Sequence, residues 1–304
     1  MPLFKVSQAR LELIKEDPFR LEKDIQQVVE SSLSSLFGLT FVRTEFQLGA
    51  LRIDTLAYDN DSQAFVIIEY KKGSNYSVVD QGMSYLGLML NNKAEFILEY
   101  NEKCNASLKR KDVDWSQSKV IFISPSFTPF QLEAINFKDL PIELWEVRRY
   151  VNNTIRFDQH KSASATATIK TVSKKSGVVE AISREVKTYT EEGHLKIAQP
   201  NTAELYNRFK ELVLAIGSDI SVKPMKMYIA FRSKTNITDV VILKKALKIF
   251  INLPKGKLDD SKNLARDVSA VGHWGNGDYQ IQTTSDDELE YIVSLVRQSY
   301  KLNQ

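Results

Sequence analysis

Two acids and a lysine in the first half of the chain are residue types that hydrolyse phosphate esters. Asp54 sits in an apolar-alternating run, and Glu69-Tyr70-Lys71 follows fifteen residues on. Glu69 comes directly after Phe65, Val66, Ile67 and Ile68, a continuous apolar run that suits a central strand buried on both faces. A carboxylate at its end is anomalous, because burying one is costly unless it is paired or holds a metal. Side chains alternate along a strand, so Glu69 and Lys71 share one face while Tyr70 and Lys72 take the other. That selects Lys71 over Lys72 for the chemistry. Asp54 and Glu69 offer the oxygen ligands that a hard cation such as Mg²⁺ or Mn²⁺ takes, with the Tyr70 carbonyl completing the set. Lys71 would orient a water or stabilise developing charge. Glu22 stands ahead of the strands on a helix, where it would hold a metal-bound water or a second ion. Its plainer reading is a solvated acid favoured by the helix dipole. Gln81 and Tyr85 are four apart and share one helical face.

The elements that must position these residues follow from periodicity and turn chemistry. Residues 1–20 read as a short strand or arm ending at Asp17-Pro18, with Asp17 as cap and Pro18 as the first helical residue. Apolar steps of three and four predict a helix over 19–37, closed by Gly38. Strands are expected over 41–46, 51–58 and 65–70, then a helix over 78–91. A strand over 94–100, a polar loop over 101–117, a strand over 119–124, a helix over 128–134 and a strand over 142–150 complete the first half. This is an α/β domain with a mixed central sheet. Residues 161–176, with four lysines and no acid, have linker composition. A basic arm that grips phosphates is the alternative. The second half reads as a smaller α+β domain: a helix over 201–216 capped by Asn201 or Thr202, a strand over 227–232, a helix over 239–245 and a strand over 248–253. Asn276-Gly277 signals a hairpin. Ser285 to Glu288 signals a capping box that opens a closing helix over 285–300. The expected division is 1–158, a linker over 159–194, and 195–304.

The whole chain narrows the class. Its 304 residues carry a formal charge of only +3, so a nucleic-acid surface must be a local patch. One cysteine, Cys104, excludes an intrachain disulfide framework and a cysteine-rich zinc site. His160, His194 and His273 show no metal-ligand spacing. No apolar span is long enough for a transmembrane helix, and the charged stretch MPLFKVSQARLELIKED lacks a signal peptide's apolar core. A cytoplasmic protein is the expectation. Tyr76, Arg148, Arg149 and Tyr150 are types that line a DNA groove, with an ordinary solvated surface as the alternative. Arg232, Lys234, Lys244, Lys245 and Lys248 would form either a basic face or a plain solvated one.

Asp54 followed by Glu69-Tyr70-Lys71, with Gln81-x-x-x-Tyr85 beyond and Glu22 ahead in LEKDIQ, resembles the PD-(D/E)XK nuclease superfamily and its branch related to the RecB nuclease. The resemblance spans about residues 15–150, with Ile53 where the family's nominal proline stands. It implies a restriction-endonuclease-like fold and Mg²⁺- or Mn²⁺-dependent DNA hydrolysis in repair or defence. Asp54, Glu69, Lys71, Glu22 and Gln81 form the implied catalytic set, with Asp54, Glu69 and Glu22 at the metal. Tyr85, Lys72 and Tyr76 are the implied substrate contacts. About residues 195–302, with YIAFRSK and GHWGNGDYQI the most distinctive stretches, resemble the domain of unknown function DUF5655. DNA is the implied partner, with no membrane. A homodimer and a protein partner for the second domain are further expectations. A nonenzymatic nucleic-acid-binding or protein-interaction module on the same fold is the alternative.

Overall fold

The computed structural model describes residues 2–49, 51–73, 77–137, 140–160, 182, 185–271 and 275–303. The chain divides into two compact units, Met1–Thr188 and Tyr189–Gln304.

The first unit opens on an antiparallel hairpin, β1 (Leu3–Ser7) and β2 (Arg10–Ile14). Its turn residues Gln8 and Ala9 both take positive φ, 47° and 62°. Neither is a residue type that favours that region, so the hairpin leaves no turn signal in the sequence. The helix expected over 19–37 is two helices, α1 (Glu22–Glu30) and α2 (Leu33–Phe37). Ser31 Oγ turns back to the Val28 carbonyl at 3.0 Å, a local bond that competes with helix continuation. Asp17-Pro18 does not start α1. The N-cap is Leu21, whose N–H donates to the Asp24 carboxylate at 3.1 Å, and the Asp17 N–H is committed to the Arg149 carbonyl at 2.8 Å. Gly38 closes α2 in the left-handed region, as expected.

Six strands form the central sheet in the order β3 (Thr40–Leu48), β4 (Leu51–Asp59), β5 (Ala64–Tyr70), β6 (Lys119–Ser124), β7 (Ile142–Arg149), β8 (Ile155–His160). The pairs β3–β4, β4–β5 and β7–β8 are antiparallel, while β5–β6 and β6–β7 are parallel, so the sheet is mixed. β8 was not anticipated. The described helices of the unit also include α3 (Val78–Asn91), α4 (Lys93–Cys104) and α5 (Pro129–Ala134). α4 replaces the strand expected over 94–100. Its inward residues Phe96, Ile97, Tyr100 and Cys104 follow helical steps, and Leu98 is left exposed.

The sheet separates two apolar layers. Ala57, Val66, Ile68 and Tyr70 pack with Ile25, Val29 and Leu33 of α1 and α2. Leu56, Tyr58, Phe65 and Ile67 pack with Val78, Leu86, Met89 and Phe96 of α3 and α4. Every residue of β5 is buried, as the apolar run requires. Gly82 lets α3 lie close on the sheet, since a Cβ there would stand 2.5 Å from Ile142 Cδ1. The stretch read as linker is partly core: Ile182 and Val186 are buried in the α3–α4 layer, and Glu185 pairs with Lys93. Residues 161–181 lie outside the described residues.

The second unit contains α6 (Glu191–Leu195), α7 (Pro200–Leu214) and α8 (Leu289–Leu302). Its antiparallel sheet runs β13 (Arg266–Asp267), β14 (Tyr279–Thr283), β12 (Leu247–Ile251), β11 (Asn236–Ile242), β10 (Ile229–Arg232), β9 (Ser221–Pro224). α7 and α8 pack on one face through Phe209, Val213, Ile292 and Val296. Several expectations change here. α7 is capped by Gln199 with Pro200 as its first residue. The segment read as a helix over 239–245 is mostly β11, buried along its whole length. The hairpin signalled at Asn276-Gly277 does form, as the antiparallel pair β13–β14, but Gly277 does not take a left-handed conformation. A Cβ there would stand 2.0 Å from the Ile251 carbonyl oxygen, so glycine serves close backbone approach. The Ser285 box does not form either. Ser285 Oγ donates to Asp287, and Glu288 is the N-cap of α8.

Candidate active site

Asp54 and Glu69 meet because β4 and β5 run antiparallel with Thr55 opposite Ile68, which makes Asp54 and Glu69 the next pair in register. At that point the ladder gives way to a side chain: the Tyr70 N–H donates to Asp54 Oδ2 at 3.1 Å. Both acids lie on the α3–α4 side. α3 is capped by Ser77, whose Oγ accepts from the Asp80 N–H, and this entry brings Gln81 and Tyr85 to the same place.

The hydrogen bonds fix the orientation of Glu69. Its Oε1 accepts from Lys71 Nζ at 2.9 Å and from Gln81 Nε2 at 3.1 Å. Gln81 Nε2 also donates to Tyr85 Oη at 3.1 Å, and Tyr85 Oη donates to the Arg52 carbonyl at 3.2 Å. Both donors therefore converge on one oxygen of Glu69. The other, Oε2, is buried and has no hydrogen-bond partner, although the residue is only 3% exposed. Such an oxygen requires a proton or a cation. Burial, and then the Asp54 charge beside it, push the Glu69 carboxyl up to about 7, against the pull of Lys71. Burial also raises Asp54, opposed by the Tyr70 N–H and Lys71 and reinforced by Glu45. Burial raises the Tyr85 hydroxyl as well, with Glu69 adding to it.

A polar layer supports Asp54 from the other face of the sheet. Gln26 of α1 is 7% exposed, and its Nε2 lies 2.9 Å from the Asp54 carbonyl, 2.9 Å from Thr44 Oγ1 and 3.0 Å from Glu30 Oε1. Thr55 Oγ1 donates to Glu30 Oε1 at 2.6 Å and lies 3.1 Å from Tyr70 Oη. Sequence reasoning missed Gln26. The one available signal was an amide among the apolar positions of α1.

The structure brings together Asp54, Glu69, Lys71, Gln81 and Tyr85. Glu22 lies apart from the two acids. α1 packs on the Tyr70 face of the sheet, and Glu22 Oε1 accepts the Lys72 N–H at 2.7 Å. Lys72 Nζ turns the same way and donates to the Arg20 carbonyl at 2.5 Å. Among the described residues no group of three or more His, Cys, Asp or Glu forms a metal centre, so the three-acid set of Asp54, Glu69 and Glu22 is not assembled. Tyr76 lies outside the described residues. Two carboxylates suit Mg²⁺, which is held by one or two of them while keeping several waters. The buried free oxygen of Glu69 beside Asp54 fits that demand.

The remaining candidates have local roles. Arg148 pairs with Glu16 and Glu146, Arg149 pairs with Asp17 over the Phe19 ring, and Tyr150 is buried. Arg232 is buried as well, which removes it from a basic face. His194 Nε2 meets the Met225 carbonyl at 2.7 Å, and His160 lies 3.1 Å from Glu146. His273 lies outside the described residues. Burial raises the Cys104 thiol, away from reactivity.

The fold and site define a two-unit protein: a mixed α/β unit with a carboxylate–lysine centre at its β4–β5 junction, and an antiparallel-sheet unit with helices on one face. The chain belongs to the same family as an uncharacterized protein of Haemophilus influenzae (strain ATCC 51907 / DSM 11121 / KW20 / Rd), 52% identical over 301 residues that cover 99% of this chain and 100% of that protein. Residues 191–303 match the family described as "Domain of unknown function (DUF5655)". Among solved structures, the chain is similar to EndoMS in a complex with dsDNA, with a TM-score of 0.27 and 17% identity, covering 43% of this chain and 49% of that one. It thus spans about half of that protein. It is also similar to Pyrococcus furiosus SfsA in complex with Ca²⁺, with a TM-score of 0.25 and 15% identity over 52% of this chain and 68% of that one. A repair endonuclease from Pyrococcus abyssi gives a TM-score of 0.24 and 15% identity over 48% and 64%. Among the described residues no helix is long and apolar enough to cross a membrane.

Proposed function

We propose that the first unit is a nuclease that hydrolyses DNA phosphodiesters with Mg²⁺ or Mn²⁺, in DNA repair or defence. The observation that carries this reading is the buried, partnerless Glu69 Oε2 next to Asp54, with Lys71 fixed beside it. Asp54 and Glu69 would hold the cation. When bound, it would polarise the scissile phosphate and make a water nucleophilic near neutral pH. Lys71 places a positive charge where charge develops on the phosphate. Gln81 and Tyr85 keep Glu69 turned so that Oε2 remains free for the cation. The order Asp54, Glu69-x-Lys71, Gln81-x-x-x-Tyr85 on β4, β5 and α3 supports assignment to the PD-(D/E)XK superfamily in its RecB-related branch. The test is incubation of purified protein with Mg²⁺ or Mn²⁺ and single- or double-stranded DNA. Wild type should cleave, and Asp54→Ala and Lys71→Ala should not. Equal cleavage by all three would overturn the reading.

A further inference from the structure

Thr44 pairs with Thr55 and Phe46 with Ile53, which places Glu45 of β3 opposite Asp54. Asp54 is in turn opposite Glu69, so three acids form one row across β3, β4 and β5. Glu45 sits within a strand and yet takes φ 49°, the left-handed region that L residues other than Asn and Asp seldom enter. Its charge is felt at Asp54. Glu45 Oε2 is held by Arg52 Nε at 2.8 Å, and the two side chains are 40% and 65% exposed. Arg52 is itself tied into the site, because its carbonyl accepts the Tyr85 hydroxyl that orients Gln81. At the far end of the row Glu69 Oε2 is buried without a partner.

We propose that Glu45 is a third cation-ligating carboxylate of this site, latched away in the free protein by Arg52. An ion pair this exposed is weak and opens readily. A phosphate competes for Arg52, whose guanidinium presents a planar fork suited to phosphate oxygens. Release of Arg52 frees Glu45 to turn toward the cation beside Asp54. Glu45 and Arg52 thus exchange one another for cation and phosphate, and substrate binding tightens the metal site. This inference rests on the reading of Asp54 and Glu69 as cation ligands.

The test is Mn²⁺ binding to the full chain, measured by titration calorimetry and by the Mn²⁺ electron paramagnetic resonance signal, without catalysis. The variants are Glu45→Gln, Glu45→Asp, Arg52→Ala and Asp54→Asn, each checked for its thermal unfolding. Arg52→Ala should bind Mn²⁺ several-fold more tightly than wild type, and Glu45→Gln about tenfold more weakly. Glu45→Asp keeps the charge but shortens the reach, so it separates a ligand from a distant field. It should weaken binding nearly as much as Glu45→Gln. If Glu45→Asp binds like wild type, or Arg52→Ala binds no more tightly, the inference is wrong. Loss of binding in Asp54→Asn alone would leave the metal site standing without Glu45. Unchanged binding in Asp54→Asn would remove the site and this inference with it.

Discussion

Glu69→Gln should make the metal-free protein more stable while removing its capacity to bind metal. Burial and Asp54 raise the Glu69 carboxyl from 4.5 to about 7. One pKa unit corresponds to about 1.4 kcal/mol, so the ionised form of Glu69 costs the folded state about 3 kcal/mol relative to the unfolded chain. Between pH 4.5 and about 7 the folded state holds a proton that the unfolded state has released. The stabilisation from protonated Glu69 is therefore complete below the lower value and lost as pH rises through the upper one. Glutamine keeps an oxygen for Lys71 Nζ and Gln81 Nε2, and it puts an N–H₂ where Oε2 has no partner. It carries no charge at any pH. Urea denaturation of chelator-treated protein from pH 5 to 8.5, followed by circular dichroism, gives the difference between variant and wild type. Groups that do not interact with Glu69 cancel in that difference. It should grow with pH by about 3 kcal/mol and level off above neutrality. Mn²⁺ at pH 8 should then stabilise wild type and leave the variant unmoved. A difference that stays flat, or that favours wild type more as pH rises, would refute the account of Glu69.

Four other outcomes follow from the same structure. Mg²⁺ affinity should fall about tenfold for each pH unit below neutrality and level off above it, because the cation must displace the Glu69 proton; calorimetric titration at several pH values would show this, and a flat profile would count against it. Tyr85→Phe removes the hydroxyl between Gln81 and the Arg52 carbonyl; it should cost about 1 kcal/mol in stability and lower kcat more than it raises KM. Gly82→Ala should destabilise the first unit by about 1–3 kcal/mol. Adding Ile142→Val should recover part of the loss, because the nearest contact is Cδ1 at 2.5 Å. Gly277→Ala meets the Ile251 backbone at 2.0 Å, so thermal unfolding should show a larger loss in the second unit that trimming side chains does not relieve.

Where the sequence carries one dominant period it was legible. α3 at Val78–Asn91 and β6 at Lys119–Ser124 fall where the pattern placed them. Strand alternation correctly put Glu69 and Lys71 on one face and Lys72 on the other. The failures have physical causes. Residues 94–100 contain enough apolar and aromatic residues to read as a strand, but burial chose the helical steps of α4. β11 contains Thr238 and Asp239, both fully buried, and polar residues inside a buried strand imitate a surface helix. The position of Glu22 depended on which face of the sheet α1 covers. Alternation within a strand assigns faces to residues but does not say which helix covers each face. Gln26 was missed for a related reason, since it reaches Asp54 from a helix packed across the sheet, whereas Glu45 was missed because its left-handed φ inside β3 leaves no signal in the residue type.

Three features of the site share one property: each departs from what local preferences would choose. Glu45 takes a left-handed conformation inside a strand, Glu69 leaves an oxygen buried without a donor, and Asp54 replaces a backbone carbonyl in the β4–β5 ladder. A left-handed non-glycine residue costs about 1–2 kcal/mol, and an unpartnered buried polar atom about 1–3 kcal/mol. Natural sequences tolerate such departures mainly where function requires them. All three fall on one row across β3, β4 and β5, while the apolar layers on both faces of the sheet are regular. If the row were only structural, replacing Glu45 and Glu69 by neutral residues of similar size should leave stability unchanged or reduced. A site held ready for a cation requires the opposite, a metal-free protein that becomes more stable as its acids are removed.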